Sequence, residues 1–578
     1  MKQLFILAIA LMLAPTTSAL AQTSRDQGNG TFMNPVIWAD VPDPSVIRVG
    51  DTFYMVSTTM HYSPGCIIMK SKDLVNWSVA GYAHDQLEEI DAFALKNGQN
   101  DYAKGSWAAN IRYDKYEQRF YLIVTCNTTR QSYIFTTTNI ENGPWKRNVV
   151  DMCYDPALLF EDTGSSCKKY VIHPNASLDE HQAYLAEIIS DGNGGVSLSK
   201  EVKILDYTQA DNPSRGLRAE GYHGYKIGQY YYIFMIQGCG AQRQEIVWRS
   251  KSLTGGEWEV RKVFCGDMVD ENGQPYQKNN GVAQGGIVDT PDGKWYALLF
   301  QDQGALGRMP VLVDMKWGTD GWPVMGHDGK TVDALQPMPV ATSVKVKPSI
   351  VVTDEFDNNN KRYLISEKYA DKAMNGASYD LIQEYGYNGS NLKLEWQWNH
   401  NPDNRLWSLT QRKGWLRLTT GLLAQNIREA RNTLTQRTFG PECSAETQMD
   451  VRGMKDGDCA GLTLFQNRYG YVGVEKRGAK AYIVMRKAMD KGDSNGKAIE
   501  EVELKAKTVY LRATCDFRDR KDKGRFFYSL NGRDWKSIGD ELSMHFDWPD
   551  FCGQRMGLFC FATKEAGGYA DFNYFRVK

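Results

Sequence analysis

The sequence predicts an all-β protein in two parts: a five-bladed β-propeller over residues 30–340 and a β-sandwich over residues 351–578. Two observations predict the propeller and one the sandwich. Five segments share one template: a short apolar strand, a polar turn that often carries glycine, then an aromatic pair or triplet opening a second strand. Their starts lie roughly 50 to 65 residues apart, room for about four strands per unit, which is the size of a propeller blade. A second landmark recurs within the units. "SKDLVNW" at 71, "TTNIENGPW" at 137 and "SKSLTGGEW" at 250 each set a tryptophan after a tight turn. Beyond residue 350 the repeat stops, and strands of alternating apolar and polar residues follow at regular intervals with Gly, Asn and Asp between them, the pattern of a sandwich.

The five blades open in turn with "DPSVIRVGDTFYMVS" from residue 43, "WAANIRYDKYEQRFYLIV" from 107, "DPALLFEDTGSSCKKYVI" from 155, "EGYHGYKIGQYYYIFM" from 220 and "QGGIVDTPDGKWYALLF" from 284. No helix-period segment of convincing length lies between residues 30 and 340. "PMPVATSVKVKPSIVVTDEF", from 337, has no repeat signature and reads as a linker laid over the propeller surface. "NLKLEWQWNH", "GWLRLTT", "CSAETQMDV", "AGLTLFQN", "YGYVGVEK", "AYIVMRK", "VYLRATCDF" and "RFFYSLNG" are the strands of the second part.

Composition narrows the partner. At 578 residues the chain exceeds one ordinary core. A formal net charge of -1 gives it no electrostatic attraction for nucleic acid or an anionic membrane. Fifteen Trp and 31 Tyr suit a β-rich fold and would also stack on flat, uncharged ligands. Residues 1–21 carry one lysine, an apolar run and Ala19-Leu20-Ala21, which reads as a signal peptide cut before Gln22. The mature chain is expected to be exported, periplasmic or secreted. No later run is apolar enough to span a bilayer, so no membrane insertion is expected. Eleven cysteines without a C-x-x-C pair argue against a zinc site.

Aligning the blades on their strands places Asp43, Trp107, Asp155, Glu220 and Gln284 in one slot around the central axis. Three of the five are acids. Converging carboxylates raise one another's pKa, so at least one should keep its proton near neutral pH beside an ionised neighbour. A protonated and an ionised carboxylate together are what glycosidic bond cleavage needs. Trp107 would give the sugar ring an apolar face. Each acid has another reading: Asp-Pro opens turns, and axial carboxylates can hold calcium. A glycan-binding propeller without catalysis would keep the tryptophan and lose an acid.

On these residues the chain resembles glycoside hydrolase family 43. "DPSVIRVGDTFYMVSTTMHYSPGCIIMKSKDLVNW" is similar to the family's first blade, "YDPALLF" to its third and "RAEGYHGYKIGQYYYIF" to its fourth. The resemblance implies exo-acting, inverting α-L-arabinofuranosidases and β-xylosidases. It makes Asp43 the general base, Glu220 the general acid and Asp155 the residue that tunes the acid and orients the sugar. "QDQGALGRMPVLV" resembles the segment whose arginine, here Arg308, reaches the sugar, and "GSWAAN" the one that supplies the platform Trp107. Gln284 and His61 are the further substrate-binding candidates. His61 lies in "TTMHYSPG", residues 58–65, which is expected to wall the pocket with Met60 and Tyr62. The family implies no cofactor for catalysis. Many relatives set a histidine just before Gln-Gly-Gly in the fifth blade to hold an axial metal ion or water. Here Ala283 stands there, which weakens the case for a structural calcium.

"LEWQWNHNPDNRLWSLTQRKGWLRL" with "EARNTLTQRTFGP" resembles the concanavalin-like (jelly-roll) sandwich of β-xylosidase-type members. Its tryptophan-rich start reads as the interface with the propeller, with carbohydrate binding by the sandwich itself as the other reading, and one of its loops as a closure for one side of the pocket. The expected substrate is a plant polysaccharide or oligosaccharide, cut one terminal sugar at a time. "TMHYSPG" leans towards terminal α-L-arabinofuranose over β-D-xylose.

Overall fold

The computed structural model describes residues 23–174, 182–206, 219–238, 243–276, 281–341, 347–361, 383–490 and 494–578. The expected signal peptide and the middle of the expected linker lie outside the described residues.

Residues 45–325 form five antiparallel blade sheets, four of four strands and the third of five. Their inner strands are Ser45–Val49, Ser106–Asp114, Ala157–Asp162, Glu220–Ile227 and Ala283–Asp289. Each inner strand contacts the next and the fifth contacts the first, which closes the propeller. The aromatic clusters predicted to open the second strands begin Thr52–Ser57, Arg119–Cys126, Tyr230–Gln237 and Trp295–Asp302. Alternate side chains there fill the space between blades, where Phe53, Tyr121, Phe234 and Phe300 are fully buried. Trp77 and Trp145 are buried between blades at the recurring turn; the third of that set, Trp258, packs against its own inter-blade core while remaining half-buried.

The ring is sealed by its own N-terminus. Thr31–Ile37 runs beside the fifth-blade strand Arg308–Trp317 and pairs with Leu335–Pro337. Asn34 substitutes for a strand partner there: its Nδ2 donates to Leu312 O and its Oδ1 accepts from Leu312 N, both at 2.9 Å.

The C-terminal part is a sandwich of two large antiparallel sheets. One runs in the order Lys497–Leu504, Lys480–Ala488, Tyr469–Arg477, Asp458–Phe465, Arg555–Ala562, Leu434–Arg437, Gln397–Asn399. Its last member is the propeller's own Tyr62–Ser63, with Trp398 paired to Ser63 and Asn399 to Tyr62. The tryptophan-rich start is therefore interface, as expected, with Trp396, Trp398 and Trp407 buried in a core that continues from the propeller into the sandwich. The linker's described end lies along the propeller's first residues, where Ile350 N donates to Thr23 Oγ1 at 3.1 Å. No helix of the described residues is long and apolar enough to cross a membrane.

Asp40 pins the two parts at the axial end. Its Oδ1 accepts from Arg308 N at 2.8 Å, its Oδ2 from sandwich Gly553 N at 2.9 Å, and its carbonyl from Arg437 Nε at 2.7 Å. Gly553 has no room for a side chain, since a Cβ would stand 2.3 Å from Leu306 O and 2.9 Å from Asp40 Cβ. Gly553→Ala should therefore push the adjoining sandwich segment off the propeller. The expected cost is about 1–3 kcal/mol in chemical denaturation, with a parallel loss of activity.

Candidate active site

Each inner strand begins with the same backbone device. Asp43, Ala108, Asp155, Gly221 and Gln284 all have positive φ, 51°, 45°, 38°, 64° and 64°. Two residues later, in every blade, the ladder to the second strand starts or resumes, at Ser45, Asn110, Ala157, His223 and Gly286. This left-handed kink turns the head of the strand towards the axis, a bulge of the kind that re-aims side chains beside active sites. Strand alignment is thereby corrected by one residue in two blades. Trp107 and Glu220 precede the kink that Asp43, Asp155 and Gln284 occupy, because Ala108 and Gly221 take it in the second and fourth blades. Gly221 must be small, as a Cβ there would stand 2.6 Å from the Gln284 side chain.

The three predicted acids come together. Asp43 accepts from Arg308 Nη1 at 2.8 Å and from Thr58 Oγ1 at 2.7 Å. Thr58 also accepts from Ala108 N at 2.9 Å, which ties the first acid to the kink beside Trp107. Asp155 Oδ2 accepts from Gly221 N at 3.1 Å, so it sits against the chain carrying Glu220. Burial, followed by the charges of Glu220 and Asp43, pushes the Asp155 carboxyl well above the ordinary range. Burial likewise lifts Glu220 to about 7; the Arg308 charge opposes that rise and the Asp43 charge adds to it. The Tyr154 hydroxyl stands 3.5 Å from Glu220 Oε2 and is held protonated by the charge of Asp155 and by burial.

Arg308 is the cation among them. Its charge is sustained by Asp43, Asp302, Glu220 and Asp40 against the cost of burial. Its guanidinium lies between two rings, 4.8 Å from Phe300 and 4.4 Å from Phe551. Phe551 belongs to the sandwich. It stacks on Trp107 at 5.1 Å and 19°, which makes the propeller's platform and a sandwich ring one continuous wall. Among the described residues the Trp107 indole N–H has no acceptor.

Gln284 sits at its kink with N–H donated to buried Glu245 at 2.8 Å. His61 departs from expectation. It is 3 % exposed, with its ring against Tyr62, Tyr102 and sandwich His400, and burial holds it far below its usual pKa, hence neutral. It is correctly placed in the 58–65 segment but buried under the sandwich, leaving almost no surface for a sugar. Tyr62 and Met60 are buried as well, packed with Phe551, Cys552 and Trp107. Among the described residues no cluster of His, Cys, Asp and Glu is arranged to hold a metal ion.

Sequence reasoning missed Phe551, Thr58, Tyr154 and Asp40. Thr58 and Tyr154 adjoin predicted site segments and could have been found there. Phe551 lies more than 500 residues from Asp43 in a chain with 22 phenylalanines, and only the fold selects it.

A propeller with three acids and an arginine at one axial mouth defines a glycoside hydrolase. The chain belongs to glycosyl hydrolases family 43, whose model matches residues 32–323; the model of the beta xylosidase C-terminal concanavalin A-like domain matches residues 384–578. The chain is similar to a beta-xylosidase of Formosa agariphila, 28 % identical over 96 % of this chain and 92 % of the relative. It is also similar to a non-reducing end alpha-L-arabinofuranosidase of Bacteroides ovatus, 27 % identical over 80 % and 79 %. The solved bifunctional GH43-CE protein of Bacteroides eggerthii superposes with a TM-score of 0.79 at 42 % identity over 96 % of this chain, which spans 64 % of that protein.

The raised Glu220 pKa has a signed consequence for stability. The folded state holds a proton up to about pH 7, whereas a glutamate in the unfolded chain releases it near 4.3. Folding is therefore penalised as pH rises between those values, and fully so above 7. Glu220→Gln removes the penalty. Its melting temperature should exceed the wild type's at pH 8 by about 1–2 °C, and the gap should close by pH 4.5 in paired thermal scans.

Proposed function

We propose that this family 43 hydrolase removes single terminal α-L-arabinofuranosyl units from plant polysaccharide side chains with inversion. Asp43 acts as general base on the attacking water, Glu220 as general acid at the departing oxygen, and Asp155 as the residue that tunes the acid and orients the sugar. The observation that carries this reading is the charge arrangement: Glu220 is lifted to about 7 while Asp43 is paired with Arg308 and Thr58. One carboxyl can thus give a proton at neutral pH while the other accepts one. The wall of Trp107 and Phe551 supports a closed pocket, and with it exo action. The leader-like first 21 residues support export, to the periplasm or beyond.

β-D-xylosidase is a second reading, favoured because the Formosa agariphila relative that matches 96 % of this chain carries that name. The two pentoses present similar hydroxyls to the same acids, so the walls make the choice.

Hydrolysis of aryl α-L-arabinofuranoside and aryl β-D-xylopyranoside side by side decides between the sugars, and proton NMR of the first product should show the inverted anomer. Glu220→Gln should lose roughly 10²–10⁴-fold in kcat on oligosaccharides. It should lose far less on a dinitrophenyl glycoside, whose leaving group needs no proton. Asp43→Asn should lose activity on both. Retained configuration, or equal losses for the two variants on both substrates, would reverse the assignment of roles. For the wild type, kcat/KM should fall as pH rises through about 7.

A further inference from the structure

We propose that Arg243 is a positioning residue of the site: through Asp302 it fixes the Arg308 guanidinium against the general base Asp43. The proposal rests on the reading of the pocket as a glycosidase site. Ion pairs join the four groups in a row. Arg243 Nη2 stands 2.8 Å from Asp302 Oδ2, Asp302 Oδ1 3.4 Å from Arg308 Nε, and Arg308 Nη1 2.8 Å from Asp43 Oδ1. Asp302 thus divides its oxygens between two arginines, of which the inner one holds the base.

Local structure builds the row. Phe300 and Asp302 lie two apart on the strand Trp295–Asp302, so both side chains leave it on one face. Asp302 is also paired directly with Arg308 on the next strand. Arg243 comes from the fourth blade, at the head of the strand Gln244–Ser250. Two residues on, buried Glu245 accepts from Gln284 N at 2.8 Å, which anchors that head to the fifth blade. Phe300 carries both guanidiniums, Arg243 at 4.9 Å and Arg308 at 4.8 Å from its ring. From the sandwich, Arg520 Nη2 donates to the Asp302 carbonyl at 3.1 Å.

Stability does not account for Arg243. It is 7 % exposed, and its Nε and Nη1 find no acceptor among the described residues. A guanidinium buried with so few partners costs the fold more than a well-packed apolar side chain of similar size would. Electrostatics gives it a use. Glu220 faces Arg308, Asp43, Tyr154, Asp155 and Arg243. Arg243 is thus a second cation acting on the acid, and its charge, like that of Arg308, opposes the rise that burial imposes on the Glu220 carboxyl.

The test uses the full chain and whichever aryl pentoside the wild type cleaves. Arg243→Met and Asp302→Asn should each lower kcat/KM about tenfold, as a slightly misplaced catalytic group does. The double variant should be no worse than the poorer single one, because both substitutions break the same connection. Arg243→Met should also move the alkaline limb of the pH profile up by about half a unit, since Glu220 loses a cation. Arg243→Lys keeps the charge and should leave the limb in place. The Asp302 side chain is 31 % exposed, so Asp302→Asn keeps the test open should Arg243→Met fold poorly. Arg243→Met activity within about twofold of wild type, additive losses in the double variant, or an unmoved limb overturns the proposal. Failure of the wild type to cleave any aryl pentoside would instead overturn the pocket reading. Thermal scans then still report on the row. The gap in melting temperature between Arg243→Met and Arg243→Met/Glu220→Gln should stop growing at a higher pH than the gap between wild type and Glu220→Gln. The same pH for both gaps would overturn the role of Arg243.

Discussion

The site depends on a backbone constraint repeated five times: one residue in the left-handed region at the head of each inner strand. That conformation costs most side chains about 1 kcal/mol or more. The propeller tolerates it because the ladder resumes two residues later in every blade and the inner strands pack around the axis. In return the head of each strand leaves the sheet and faces the axial mouth. Asp43 and Asp155 occupy the kink itself, and aspartate is among the residues that tolerate it best. In the fourth blade glycine takes the kink and the longer glutamate precedes it, giving the acid a different reach from its two neighbours.

Three carboxylates brought together in this way cannot all be charged. Arg308 is their main electrostatic counterweight, and its position sets how the protons are shared. It bonds directly to Asp43 and acts on Glu220 through charge, while Asp155 receives a backbone N–H from Gly221. Equal burial would have given three similar acids; unequal partners give one acid paired with a cation and two whose protons persist. The arginine in turn is fixed by Asp40 on its backbone and by Phe300 and Phe551 on its faces. The sandwich thus takes part in the electrostatics of a site whose acids all lie in the propeller.

Much of this was legible in the sequence because it repeats. The blade template recurs roughly every 50 to 65 residues, and its repetition separates Asp43 and Asp155 from ordinary Asp-Pro turns. The one-residue offset at Trp107 and Glu220 was not legible, since apolar alternation shows where a strand runs and a bulge at its head leaves that alternation intact. His61 was misjudged for a related reason. "TTMHYSPG" has the composition of a pocket loop, but Tyr62–Ser63 pairs with Asn399 and Trp398 and is drawn into the sandwich sheet. No local pattern reveals a strand whose partner is more than 300 residues away.

That shared strand also explains why the two parts act as one unit. Tyr62–Ser63 joins one sandwich sheet, and Arg437, Gly553 and Gln554 bond the propeller from the sandwich side. A propeller mouth alone is a shallow basin open to solvent, in which the charges of its acids would be strongly screened. The segment that ends at Gly553 lays Phe551 over one side of that basin. It covers one face of Arg308 and the ring of Trp107, and burial is the first cause of the raised Glu220 pKa. Closing one side of a basin also leaves a seam between lid and base. Here the seam is lined by Asn97, Gln99 and Tyr102 from the propeller and by Leu422, Leu423 and Asn467 from the sandwich.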